Sequence, residues 1–92
     1  MVWTVYIIKC KDNSLYTGIT TDINRRFHEH QNDDNKSSKY CLMRRPLALV
    51  FKSRPFQNRS KASKEEHRIR NLTHEEKRNI IRNKSLNLIL KN

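Results

Sequence analysis

The chain has 92 residues, 35% apolar and 32% charged, with 20 Lys and Arg against nine Asp and Glu and a formal net charge of +11. That length fits one domain, residues 1–92, with a modest core, and no apolar run nears the roughly 18 residues of a membrane-spanning helix. A single glycine excludes the Gly-rich phosphate cradles of Rossmann and P-loop sites, and two cysteines, Cys10 and Cys41, with no CxxC exclude a disulfide framework.

Residues 2–8 are β-branched and aromatic and predict a strand. Residues 11–14 form a turn signal, and residues 15–20 predict a second strand, so the two runs make a β-hairpin. Thr21 and Asp22 offer an N-cap for a helix to about His30 or Gln31. Residues 32–38 read as a loop. Residues 46–51 predict a third strand, with Pro46 at its start, where a missing N–H is tolerated. Ser60 is a cap candidate for a helix through about Leu72. Thr73 with Glu76 fits a capping box opening a helix to about Arg82. The tail from Ser85 to Leu90 is apolar and needs a surface to pack on, which the sequence does not identify. The expected fold is α+β: a small three-stranded antiparallel sheet flanked by helices. Its core spans about residues 3–77, with a C-terminal helix and tail over 78–92.

The charge is concentrated. Residues 36–70 hold eleven basic residues and two acidic ones, a net of +9, whereas residues 1–35 carry −1 and residues 71–92 carry +3. Such an imbalance attracts polyanions, nucleic acid first. A solvated basic surface without a partner is the bland alternative, but self-repulsion makes it costly. No basic stretch precedes the short apolar run at Tyr6, so no signal peptide is read and the cytoplasm is the expected location.

The first helix carries the clearest chemical signal. At about 100° per residue, Ile23 and Phe27 define its apolar face; His30 falls within about 20° of Ile23, and Arg26 lies about 60° to the side. Arg25, His28 and Glu29 are expected to point away. Taken singly, an inward histidine is more often a satisfied core residue, and Arg26 alone is able to snorkel from the flank. In the hairpin, Tyr6 and Tyr16 occupy positions that share a face when the turn closes near Asn13; buried tyrosines of this kind usually pack. In the later helix, Ala62, Ile69 and Leu72 mark the apolar side, and Glu65 and Glu66 flank it, with Glu65 nearer the centre by spacing. One inward carboxylate suits a hard divalent cation such as Mg²⁺, though pairing with a nearby Arg or Lys is the commoner fate. His67 and His74 lie among charges and read as solvated. No HExxH, zinc quartet or nucleophile elbow is present.

In order, these residues resemble the GIY-YIG nuclease family. The first family motif is similar to Thr4-Val5-Tyr6, the second to Tyr16-Thr17-Gly18, and the next helix supplies Arg26 and His30. The run from Tyr16 to Asp22, with Lys39-Tyr40, Arg45-Pro46 and Ile69-Arg70, resembles the small standalone bacterial members over about residues 3–77. Their last shared piece resembles Glu66-x-x-Ile69, so the resemblance, and not the periodicity, selects Glu66. Thr4 and Thr17 depart from the family motifs while the tyrosines and Gly18 remain, and a family Asn near the C-terminus has no assigned position.

The resemblance implies hydrolysis of phosphodiester bonds in DNA, with RNA also a conceivable substrate, by one Mg²⁺ or Mn²⁺ ion held by Glu66. Arg26 would set a second positive charge against the phosphate. Tyr6 would act as the base, with Tyr16 or His30 relaying its proton. Gly18 would leave room beside that base for a backbone or phosphate. Lys39, Arg44, Arg45, Arg54, Arg59 and Lys61 are the candidate phosphate contacts; they position nucleic acid without reading bases. Sequence specificity is expected to be low, since no separate recognition domain fits in 92 residues. The rival readings are a non-catalytic nucleic-acid-binding module on the same scaffold and a basic RNA-associated protein. The latter explains the charge but gives the inward Arg26–His30 pair no purpose.

Overall fold

A computed structural model describes residues 1–91, with side chains described through residue 83. The first two strands, β1 (Thr4–Lys9) and β2 (Leu15–Thr20), form the expected antiparallel hairpin. Its turn closes on itself. The Cys10 amide donates to the Ser14 carbonyl, the Asn13 amide donates to the Cys10 carbonyl, and Asp12 Oδ1 accepts the Ser14 amide at 3.1 Å. Asn13 takes the left-handed conformation (φ 67°) that such a turn demands and that Asn tolerates better than most residues.

Asp22 caps the helix α1 (Ile23–Asn32), its carboxylate accepting the Arg25 amide at 3.0 Å. The following loop ends in a short helix, α2 (Lys39–Leu42), capped by the Ser38 hydroxyl. The third strand, β3 (Ala48–Lys52), pairs antiparallel with the free edge of β1, so the sheet order is β2-β1-β3. The strand begins two residues after Pro46 for a local reason. The Leu47 backbone is already engaged by α1: Gln31 Oε1 accepts its amide at 2.9 Å and Gln31 Nε2 donates to its carbonyl at 3.1 Å.

The next helix, α3 (Arg59–Arg70), starts on Asn58 rather than Ser60, because the Asn58 side chain accepts the Lys61 amide at 2.9 Å. It ends at Arg70, so Leu72 is not part of its apolar stripe. The capping box at Thr73 and Glu76 forms in both directions, at 2.9 and 3.1 Å. The helix it opens, α4 (His74–Lys91), continues past Arg82. How the side chains of Ser85 to Leu90 pack, left open from the sequence, lies outside the described residues.

Strand alternation sends side chains to two faces, and each face has its own apolar cluster. Tyr6 and Ile8 pack with Cys10, Cys41 and Leu47 under Tyr16, Ile23 and Phe27, the side covered by α1 and α2. Val5 and Ile7 pack with Ala62 and Ile69 of α3, together with Trp3, Leu15 and Ile19. Among the described residues no helix is long and apolar enough to cross a membrane.

Because β1 is central, its residues carry the core. Ile7 is fully buried and Leu49 is 39% exposed. Ile7→Ala is expected to lower unfolding free energy by about 2–5 kcal/mol and Leu49→Ala by less than about 1 kcal/mol, read from urea midpoints.

Candidate active site

Tyr6 and His30 meet at the junction of β1 and α1. Tyr6 Oη lies 2.9 Å from His30 Nε2, with the tyrosine 1% exposed and the histidine fully buried. The donor in this bond follows from the other ring nitrogen. The Ser38 amide donates to His30 Nδ1 at 3.2 Å, so Nδ1 is bare and the imidazole proton belongs on Nε2. His30 therefore donates to the Tyr6 oxygen. The backbone around His30 is also tied: its carbonyl accepts from Arg45 Nε at 2.8 Å and from the Ser37 hydroxyl at 3.2 Å.

Electrostatics agree with a neutral ring. Burial first, and the Arg26 guanidinium second, push the His30 pKa down to about 4. Burial and the neighbouring Tyr16 phenol push the Tyr6 phenol above its ordinary value, while Arg26 pulls the other way. In the free protein burial prevails and Tyr6 keeps its proton.

Tyr16 completes the cluster. Its ring centroid is 6.4 Å from that of Tyr6 and meets the His30 ring edge-on at 5.4 Å. Arg26 lies on the flank, 27% exposed, as its helical phase predicts. Its Nη1 donates to Glu29 Oε1 at 2.9 Å and to the Lys36 carbonyl at 2.8 Å. Glu29, expected to point away, instead turns in to hold Arg26; the i,i+3 spacing was the available signal. Ser38, whose amide sets the tautomer of His30, had no signal in the sequence.

Gly18 has a more specific task than leaving room for a ligand. A Cβ there would sit 2.6 Å from Tyr6 Cζ and closer still to Oη. The Tyr6 ring itself lies across Gly18 on the paired strand, since Tyr6 and Gly18 are directly opposite in the ladder.

Glu66 makes no direct bond to this cluster among the described residues. It is on α3, the helix that packs on the Val5–Ile7 face, and its partner is Arg70. No hydrogen bond, ion pair or ring contact among the described residues links it to the tyrosines. Its side chain is 16% exposed against 29% for Glu65, which pairs with Arg68. With Leu72 outside the helix, Ala62 and Ile69 place the two glutamates about evenly on either side of the stripe, so the spacing preference for Glu65 does not hold.

The six basic candidates divide into tethered and open. Arg45 is tethered by Nε to the His30 carbonyl and by Nη1 to Asp34, the latter at 2.7 Å, while its Nη2 is buried without a hydrogen-bond partner among the described residues. Arg44 pairs with Asp12 at 3.2 Å and lies over the Tyr40 ring. Arg59 sits 5.5 Å from the centre of the Trp3 ring. Lys39, Arg54 and Lys61 are exposed. A groove of about 520 Å³ is lined by Leu15, Val50 and Ile81 together with Lys9, Arg78 and Arg82 and had no signal in the sequence.

Residues 2–79 match the model of the GIY-YIG catalytic domain. The chain belongs to the GIY-YIG family. Similar proteins include the UPF0213 protein DP2720 of Desulfotalea psychrophila, 45% identical over 87% of this chain and 71% of that protein. The UPF0213 protein YhbQ of Escherichia coli K12 is 42% identical over 86% of this chain and 76% of its own. The solution NMR structure of the UPF0213 protein BH0048 from Bacillus halodurans superposes with a TM-score of 0.55 at 36% identity, covering 88% of this chain and 83% of that one. This GIY-YIG domain is thus similar to small bacterial proteins that are themselves standalone, and its three-stranded antiparallel sheet with flanking helices is as expected. A GIY-YIG domain places the chain in a nuclease family, whose members generally use a divalent metal and act on nucleic acid.

Two outcomes test this geometry. His30 titrates below its ordinary 6.5 in the fold, so the unfolded chain takes the proton first as pH falls. Its contribution is complete above about pH 6.5 and is lost toward pH 4. Unfolding free energy is expected to drop by about 2 kcal/mol between pH 7.5 and 5, and His30→Gln should remove most of that slope. Gly18→Ala should force the Tyr6 ring off His30 and raise the His30 pKa toward 6.5 by NMR titration; an unchanged titration would contradict the packing.

Proposed function

We propose that this protein is a divalent-metal-dependent endonuclease that hydrolyses phosphodiester bonds in DNA with low sequence specificity, in cytoplasmic DNA repair or processing. The observation that carries the reading is the buried Tyr6–His30 bond, with Tyr16 and Arg26 around it, at the heart of a GIY-YIG domain. A pair needed for packing alone would be cheaper as two apolar side chains.

The residues have separable roles. With Nε2–H donating to it, the Tyr6 oxygen is supported as it loses its own proton. Tyr6 gives its own proton to solvent water as positive charge beside it favours the phenolate, and the phenolate then takes a proton from the attacking water, whose oxygen bonds to phosphorus. His30 acts here as a donor to Tyr6 and not as the relay that receives its proton. The Tyr16 hydroxyl has no protein partner among the described residues and is available to a phosphate oxygen. Arg26, braced by Glu29 and the Lys36 carbonyl, holds a guanidinium beside Tyr6, where it favours the phenolate and faces developing phosphate charge.

The donor set fits a hard cation. Among the described residues no three His, Cys, Asp or Glu gather in one place; a lone carboxylate suits Mg²⁺ or Mn²⁺, which keep waters and share substrate oxygens, and does not suit zinc. Glu66 is the residue that would hold the ion, with Arg70 turning away. Once bound, such an ion supplies positive charge against the scissile phosphate and the leaving oxygen. Lys39, Arg54 and Lys61, exposed and basic, are the phosphate contacts that position the strand.

A second reading has its own observation. Glu66 is ion-paired with Arg70 and linked to none of the tyrosine cluster, which suits a nucleic-acid-binding module without catalysis. Cleavage decides between them. DNA substrates of duplex, single-stranded and branched form, with RNA alongside, are expected to be cut with Mg²⁺ or Mn²⁺ and spared with EDTA. Arg26→Ala and Glu66→Gln are expected to lower the rate by about 10²–10³ with circular dichroism unchanged. Undiminished cleavage by folded Glu66→Gln would overturn the metal assignment; salt-sensitive binding with no cleavage under any condition would favour the module.

A further inference from the structure

Tyr40, on α2, is 36% exposed. It stacks on Tyr16 with centroids 5.8 Å apart and planes 26° from parallel, and Tyr16 in turn meets His30. The Arg44 guanidinium lies 3.8 Å from the Tyr40 ring centre. A column of flat groups therefore runs from the buried Tyr6–His30 pair out to solvent.

Arg44 is held by its edge. Its Nε donates to Asp12 Oδ2 at 3.2 Å and its Nη1 to the Tyr40 carbonyl at 3.0 Å. Hydrogen bonds leave a guanidinium in its own plane, so both bonds fix the group and leave its flat surface for stacking. The charge is already matched by Asp12, which weakens Arg44 as a phosphate contact. The side chain nonetheless stays 35% exposed. A fixed, charge-matched guanidinium stacked over an aromatic ring, with its side chain partly exposed, is suited to a nucleobase.

We propose that the Arg44 guanidinium, backed by the Tyr40 ring beneath it, receives one unpaired nucleobase on its free face, next to the nucleotide whose phosphate reaches Tyr6, so that the substrate class is single-stranded or frayed nucleic acid. In intact duplex the bases are stacked within the helix and this plane gains nothing. The proposal rests on the nuclease reading for the identity of the ligand, and its test uses binding alone.

The probes are a short DNA oligonucleotide carrying one 2-aminopurine, single-stranded, and the same strand in duplex, both in EDTA so that nothing is cut. The full chain is expected to quench the single-stranded probe on binding. Arg44→Lys keeps the charge and loses the plane; Tyr40→Leu keeps apolar packing on Tyr16 and loses the ring. Each is expected to weaken single-strand binding about fivefold or more while duplex binding changes less than about twofold. Circular dichroism confirms that both variants fold. Equal losses on both probes, no loss on either, or an unquenched bound probe overturns the proposal. Stacking-dependent binding by a protein that cuts nothing would defeat the nuclease reading and leave this one standing. Cleavage by a protein whose binding ignores both substitutions would do the reverse.

Discussion

The arrangement depends on one hydrogen bond: the fully buried contact from His30 Nε2 to Tyr6 Oη. It joins the central strand to the first helix, and each neighbour serves it. Gly18 leaves the space that the Tyr6 ring occupies on the adjacent strand. Ile23 and Phe27 seat α1 on that face of the sheet, and the Asp22 cap starts the helix where His30 falls inward. The Ser38 amide chooses the tautomer, and Arg45 grips the His30 carbonyl while bonding to Asp34. The loop after α1 is thus shaped around the histidine.

Holding such a pair is expensive. An imidazole and a phenol without water need every partner placed, and a charged imidazole would be worse; the depressed His30 pKa is the record of that burial. The same environment keeps Tyr6 protonated until positive charge arrives beside it. Arg26 supplies part of that charge in place. Burial and charge oppose each other at one oxygen, so the phenol is poised to respond to added positive charge. The basic middle third of the chain divides: Arg45 and Arg44 build the loop and the aromatic column, while Lys39, Arg54 and Lys61 remain exposed.

Much of this was legible in the sequence where a repeat carried it. Alternation placed Tyr6 and Tyr16 on one face, and the helical phase of Ile23 and Phe27 brought His30 inward with Arg26 at the flank. Periodicity failed where elements were too short or ended early. Helix α2 spans four residues, too few to show a period, so Tyr40 came only as part of a resemblance and its stacking went unseen. Leu72 falls beyond α3, so the helical spacing does not distinguish Glu65 from Glu66. Glu29 turns toward Arg26 because an ion pair outweighs its helical phase, and the Ser38 amide and the Arg45 grip are backbone contacts across the fold that no local pattern encodes. The space at Gly18 is taken by the Tyr6 ring of its own sheet.

The direction of the Tyr6–His30 bond is the central claim, and the ring nitrogens report it directly. Long-range ¹⁵N–¹H correlation spectra of the histidine side chains, recorded on the free protein at neutral pH, distinguish a protonated Nε2 from a protonated Nδ1. A neutral His30 with its proton on Nε2 and a bare Nδ1, unchanged down to about pH 5, is expected. A proton on Nδ1, or an imidazolium at neutral pH, would contradict it.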